Sequence, residues 1–373
     1  MSADIDIDVL VCGLGPAGAS AAAMAAKAGA NVLAVERNAR PGLPVQCAEF
    51  VPMMIGSELF AGDDARVQNI DRMLTFVEDD RADLTPDFRG YMIDRARFDA
   101  DLVEQARLAG GECRFASPVR TVSPDGAVQL ADGTTIRARI VIGADGPHSP
   151  VGKAAGLANR ELVETRQITV DLLSPHAGTD IFLHPDIVGG YAWLFPKGKV
   201  CNLGLGVVAA RKQKLKPLLD ALHARLVAEG RVGQKIHAHT GGAIPVGGNT
   251  GLHAILGETG ILLAGDAAGL TNPVTGAGIN AAVISGRLAG ETAAAIVAGD
   301  GEAAQDYVDE IDALFGRSLA LALKRRRQLL DLYAQAGTPT AQQMRGGWIA
   351  YSQYWQDDDT PAARGLEEAR MTA

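Results

Sequence analysis

Near its start the chain reads Asp8-Val-Leu-Val-Cys12-Gly13-Leu-Gly15-Pro16-Ala17-Gly18, runs through an alanine-rich stretch to Gly29, and reaches a second apolar run, Val32–Val35, closing on Glu36. No other segment limits the fold so tightly. The short apolar run before Gly13 has the pattern of a buried parallel strand, and Ala19–Ala28 predicts a helix. Gly29 stands where a glycine ends a helix. Strand, glycine turn, helix, strand and acid in this order make the fingerprint of a dinucleotide-binding unit. Gly13 permits the tight turn, Gly15 lets the backbone approach a pyrophosphate, and Gly18 lets helix and strand pack closely. The free N–H groups at the helix start suit a diphosphate. Glu36 is expected to accept hydrogen bonds from a ribose. The motif alone leaves FAD and NAD open, and its place at the N-terminus favours FAD.

Two distant segments complete a flavin site. Turns at Pro124-Asp125-Gly126 and Ala131-Asp132-Gly133 separate short strands, and Ile136–Ile142 leads into Gly143-Ala-Asp145-Gly146. Much later, the apolar run from Gly260 ends on Gly265-Asp266, followed by Asn272-Pro273-Val-Thr-Gly276-Ala-Gly278-Ile279-Asn280 and an alanine-rich helix expected over 277–298. A strand-end carboxylate at Asp266 suits ribityl hydroxyls, although Asp266 alone reads equally as a helix N-cap. Gly276 and Gly278 allow close backbone approach, and the helix N-terminus near Gly278 and Ile279 would stabilise the anionic edge of a reduced flavin.

Finer motifs accompany these signatures: Pro44-Val-Gln46-Cys47-Ala48-Glu49, Ile93-Asp-Arg95-Ala-Arg-Phe-Asp99, and Tyr191-Ala-Trp193-Leu-Phe195-Pro-Lys197 followed by Asn202-Leu-Gly-Leu-Gly206. With them, residues 5 to about 300 resemble the geranylgeranyl reductase family of the p-hydroxybenzoate-hydroxylase-like flavoproteins. The resemblance implies FAD contacts from Ala17, Glu36, Cys47, Ala48, Arg95, Val119, Asp266, Gly278 and Ile279. Pro16, Arg37, Gln46, Asp145, Gly265 and Pro273 belong to the same cofactor-binding set. Tyr191, Trp193 and Phe195 would line the substrate side, and the Cys47 thiol would position or protonate the substrate; the plainer reading of Cys47 is a small packing residue. Phe50 stands where the family continues with glycine, and Val188 where it often has proline. A ring at position 50 is expected to reshape the substrate pocket. The implied activity is hydride transfer from flavin N5 to a carbon–carbon double bond of an isoprenoid or other lipophilic substrate. A monooxygenase on the same scaffold, a flavoprotein serving a protein-bound or sulfur-containing cofactor, and a flavin-free prenyl carrier are the rivals. With no second GxGxxG, NAD(P)H or a ferredoxin would act as a transient electron donor.

Between Ala158 and Thr240 the pattern shifts to alternating strands, Gln167–Leu173, Asp180–Leu183, Gly190–Phe195 and Val200–Val208. The expected architecture is α/β. A Rossmann-type FAD-binding domain (1–157 and 241–300) carries an inserted antiparallel-sheet substrate domain (158–240) and a helical C-terminal segment (301–373). In that last segment Trp348, Tyr351, Tyr354 and Trp355 read as one aromatic helix face, either packed on the body or serving as a lid. The basic run Lys324–Arg327 reads as a solvated helix face, with an anionic headgroup or phosphorylated substrate as the alternative.

Composition removes several classes. A net charge of −9 argues against nucleic acid as a partner, and 47% hydrophobic residues argue against disorder. Four widely spaced cysteines form no CxxC pair, so neither zinc nor a disulfide is expected. No run of about 18 apolar residues exists to span a membrane. Without a basic-then-apolar leader the expected location is cytoplasmic, with peripheral contact on the inner face of a membrane as the extension.

Overall fold

The computed structural model describes residues 4–53, 63–78 and 80–356. Strand β1 (Asp4–Cys12) turns through Gly13–Gly15 into helix α1 (Pro16–Lys27) and returns as β2 (Val32–Val35), parallel to β1 with Cys12 opposite Val35. Val9 to Cys12 are wholly buried. The glycines of the turn divide their work. Gly13 has φ 95°, and a Cβ there would stand 2.3 Å from the Ala144 carbonyl oxygen. A Cβ on Gly18 would stand 1.9 Å from the Gly13 carbonyl oxygen. Both therefore serve packing, whereas Gly15 has nothing within 4 Å and faces open space.

The chain then leaves this sheet. β3 (Phe50–Pro52), β4 (Arg66–Val77) and β5 (Asp83–Ile93) form one edge of a second sheet. Helix α2 (Arg95–Leu108) leads back, N-capped by Asp94, whose carboxylate accepts from the Arg97 N–H at 3.1 Å. β6 (Glu112–Arg114), β7 (Val119–Val122), β8 (Val128–Leu130) and β9 (Thr135–Gly143) rejoin the first sheet, β9 lying beside β1. After α3 (Pro150–Ala154) come β10 (Leu162–Leu172), β11 (Gly178–Leu183), β12 (Ala192–Lys197), β13 (Val200–Val208), α4 (Leu215–Ala228), β14 (Val232–Thr240) and β15 (Ala243–Pro245). β16 (His253–Leu256), β17 (Thr259–Leu263) and the long α5 (Ile279–Val297) complete the first layer.

The first sheet has the order β16-β17-β9-β1-β2-β6, parallel from β17 to β6. Over it, α1 and α5 cross closely: Cβ atoms on Gly286 and Gly290 would stand 2.1 and 2.3 Å from the carbonyl oxygens of Ala17 and Ala21. The second sheet runs β14-β10-β13-β12-β11-β4-β5-β3. On β13 one face carries Cys201, Leu203, Leu205 and Val207 towards Leu215, Leu219 and Leu226 of α4. The other face carries Asn202, Gly204 and Gly206, and Gly204 leaves room for the Trp193 ring, 2.5 Å from where its Cβ would be.

Two expectations need correction. The substrate sheet is not confined to 158–240, because it takes β3, β4 and β5 from the stretch assigned to the FAD domain; nor is it antiparallel throughout, since β11 pairs parallel with β4. Alternation along a strand reports which face is buried and says nothing about which distant strand lies alongside.

The C-terminal segment departs as well. Helices α6 (Ala303–Ile311), α7 (Arg317–Ala336), α8 (Ala341–Gly346) and α9 (Ser352–Trp355) are separate. Trp348 and Tyr351 therefore lie in the turn that follows Gly346-Gly347, and not on one aromatic helix face. The basic run is not a solvated face either. Arg325 and Arg326 are buried because flanking segments cover α7 on both sides: Arg325 Nε donates to the Tyr354 carbonyl at 2.8 Å, and Arg326 donates to that of Gly189 at 2.6 Å. Residues 357–373 lie outside the described residues.

Candidate active site

Between the two sheets lies a cavity of about 610 Å³, within the usual range for ligand pockets. Its two halves differ in chemistry. The polar half is lined by Gly15, Pro16 and Ala17 at the start of α1, by Arg37, Gln46, Cys47 and Ala48, by Arg95 at the start of α2, by Asp145 and Asp266, and by Gly276, Gly278 and Ile279 at the start of α5. The starts of three helices therefore meet at one space, where free N–H groups favour negative charge.

Its carboxylates are unusual. Asp145 Oδ2 accepts from the Val151 N–H at 3.2 Å, while Oδ1 is buried without a partner. Burial raises the Asp145 pKa to about 6, opposed by Ser149, Val151 and Arg37. Asp266 Oδ1 accepts from the Thr271 hydroxyl at 2.6 Å; burial raises its pKa, with Thr271 and Arg95 acting the other way. An orphaned carboxylate oxygen on the wall, open space at Gly15, and a left-handed Gly276 at φ 69° give room and polar groups for a dinucleotide. The residues present fit FAD.

Not every predicted cofactor residue lines the cavity. Gly13, Gly18 and Gly265 stand behind it in the packing, Pro273 borders a small neighbouring pocket, and Val119 lies on β7 away from the wall. Glu36 also stands off the wall. Its Oε2 accepts from the Leu14 N–H and its Oε1 from the Asn38 N–H, each at 2.9 Å, so it braces the glycine turn. A carboxylate has about four lone-pair sites, which leaves acceptor capacity for a ribose.

At the junction of the halves, Cys47 Sγ accepts from the Glu49 N–H at 3.1 Å and its carbonyl accepts from Gln167 Nε2 at 3.1 Å. The Arg95 guanidinium, held by Asp99 through two 3.0 Å bonds, faces the same sulfur. Burial works against the charge on Arg95, but Asp99 and Cys47 outweigh it and raise the pKa above the ordinary arginine value.

Glu49 is a residue that sequence reasoning missed. It sits at φ 67°, is buried, and takes Lys197 Nζ at 2.8 Å on both oxygens, Asn202 Nδ2 at 3.0 Å and the Arg95 N–H at 3.0 Å. Its place after Cys47-Ala48 was the available signal, but its partner is 148 residues away.

The other half is apolar, lined by Phe50, Met73, Phe88, Ile181, Tyr191, Trp193, Phe195, Trp348 and Ile349. Phe50 packs on Phe88 and Phe195 with ring centroids 5.8 and 5.5 Å apart. Gly90 makes room for the Phe50 ring, whose Cε2 lies 2.4 Å from where a Cβ would be. Tyr191, Trp193 and Phe195 form a continuous ring series, with centroids 5.7 and 6.1 Å apart. Trp193 Nε1 donates to Gln167 Oε1 at 2.9 Å, and the Tyr191 hydroxyl to the Thr275 carbonyl at 2.5 Å. Trp348 closes the wall 4.8 Å from Tyr191.

Comparison with known proteins agrees with this geometry. A family model of the FAD binding domain matches residues 6–178, and one of the geranylgeranyl reductase catalytic domain matches residues 163–243. Digeranylgeranylglycerophospholipid reductase 2 of Methanopyrus kandleri is 34% identical over 349 residues, covering 86% of this chain and 86% of its own length. Reductase 1 of the same organism is 37% identical over 308 residues, or 78% and 80%. A geranylgeranyl bacteriochlorophyll reductase-like protein from Thermoplasma acidophilum shares the fold with a TM-score of 0.81 at 24% identity, over 98% of this chain and 96% of its own.

Proposed function

The chain belongs to the geranylgeranyl reductase family of FAD-dependent oxidoreductases, and from that premise we propose that it saturates carbon–carbon double bonds of an isoprenoid chain carried on a glycerophospholipid. The observation that supports this most directly is the continuity of the cavity, whose polar half suits FAD and opens into an arm walled by Phe50, Phe88, Tyr191, Trp193 and Phe195. Reduced FAD, when bound, supplies hydride. Pro16, Ala17, Arg37 and Asp145 would hold its phosphates and ribose, and Asp266, Gly276 and Gly278 its ribityl and ring side.

The remaining tasks fall to the chain. Phe50, Trp193 and Phe195 grip an extended hydrocarbon and exclude water from the reacting carbons. Cys47 stands at the boundary of the two halves, where its S–H can protonate the second carbon of the alkene, and Arg95 fixes the thiol's orientation. Lys212 lines the cavity and pairs with Glu164 at 2.8 Å, while the neighbouring Arg211 and Lys214 are exposed, and this cationic stretch suits an anionic headgroup. NAD(P)H or a ferredoxin-type protein is the proposed electron donor. A lipid substrate fits the proposed location, in the cytoplasm at the inner face of a membrane; among the described residues no helix is long and apolar enough to cross one.

The test is anaerobic stopped-flow spectroscopy of the dithionite-reduced holoprotein. Mixing with a digeranylgeranyl glycerophospholipid should restore the oxidised flavin spectrum and yield a saturated product. Reoxidation by oxygen alone, with a hydroxylated product, would instead establish a monooxygenase.

A further inference from the structure

Tyr191 and Trp348 line the substrate cavity and also a second chamber of about 40 Å³ behind them. Arg326 lines that chamber and is only 7% exposed; Trp348 is 4% exposed. Arg326 donates from one terminal nitrogen to the carbonyls of Gly189 at 2.6 Å and Pro273 at 3.4 Å, but its Nε has no partner. The indole Nε1 of Trp348 is likewise buried without one. Among the described residues no carboxylate pairs with Arg326. Burial lowers its pKa to about 10, and Glu161 only partly offsets this at a distance.

A buried cation and a buried donor at one small space are costly unless something accepts from both. Arginine and tryptophan can only donate. The wall carries His184 and Tyr333 among its apolar side chains, so a water could accept from both donors there, but it would leave the buried cationic charge unpaired. An anion takes both donors and neutralises the charge. The chamber, at about 40 Å³, has room for a small anion.

We propose that this chamber is a halide site, holding a single chloride ion between Arg326 and Trp348. The ion ties α7 and the turn at Trp348 to the Tyr191 wall, so it shapes the substrate arm from outside. This inference rests on the chamber alone and stands whatever the alkene substrate proves to be.

Crystals of the holoprotein grown in sodium bromide should show an anomalous bromine peak in the chamber, within contact of Arg326 Nε and Trp348 Nε1. The thermal midpoint should rise with chloride against gluconate at equal ionic strength. Trp348→Phe, which keeps a ring and removes the donor, should need at least tenfold more chloride for the same shift. A water or empty density in bromide crystals, an equal response to gluconate, or an unchanged chloride response in Trp348→Phe would each overturn the proposal.

Discussion

Cys47 owes its setting to Glu49, which donates to its sulfur through the backbone and is itself held by Lys197, Asn202 and the Arg95 N–H. Cys47→Ser should keep full FAD content and lower turnover tenfold or more, within the range of one general-acid group. Equal turnover in the two proteins would reduce Cys47 to a packing residue. Asp145 has a pKa raised from 3.8 to about 6 in the folded chain. The native state therefore holds a proton that the unfolded chain has released, and apoprotein stability falls as pH rises through that window, by up to about 3 kcal/mol at neutral pH. Apo Asp145→Asn should gain on apo wild type in urea melts at pH 7.5 and show a smaller gain at pH 4; a constant difference would contradict this. Glu36→Ala removes the acceptor of two backbone N–H groups and should cost about 1–3 kcal/mol of flavin retention. A variant that stays fully yellow on dilution would show that Glu36 serves the turn without serving the cofactor.

Among the elements, the crossing of α1 and α5 matters most, because both helices begin at the cavity and a change in their spacing moves both N-termini. The gap is set by Gly286 and Gly290 against the backbone of Ala17 and Ala21. A methyl at position 286 would stand 2.1 Å from the Ala17 carbonyl oxygen, which belongs to rigid backbone. Gly286→Ala should therefore destabilise the fold by about 1–3 kcal/mol and weaken FAD binding together with it, read by melting and by flavin titration. Retained affinity in a destabilised variant would mean that the two helix starts are positioned independently of their crossing.

The molecule closes the aromatic half of its cavity with its own C-terminal segment. Tyr351 donates to Asp83 at 2.7 Å, and Arg345 bonds Asp80 and Asp83 at 2.9 and 3.1 Å, which holds the turn bearing Trp348 over β5. Tyr351→Phe should raise KM for the lipid several-fold with FAD content unchanged; an unaltered KM would show that packing alone keeps the arm shut. From sequence alone the dinucleotide unit was legible almost in full, as β1, the glycine turn and Val32–Val35 show, because a βαβ fingerprint is local, although the demand on Gly13 comes from the distant Ala144 carbonyl. The aromatic series at Tyr191, Trp193 and Phe195 was legible for the same reason, since alternation places side chains on one face. The tertiary structure alone decided that β3 to β5 join the substrate sheet, that Glu49 meets Lys197, that Arg325 and Arg326 are buried, and that Trp348 seals the cavity. Each of these pairs groups far apart in the chain, and such meetings follow from how two sheets and a C-terminal segment share one interior, which no local period encodes.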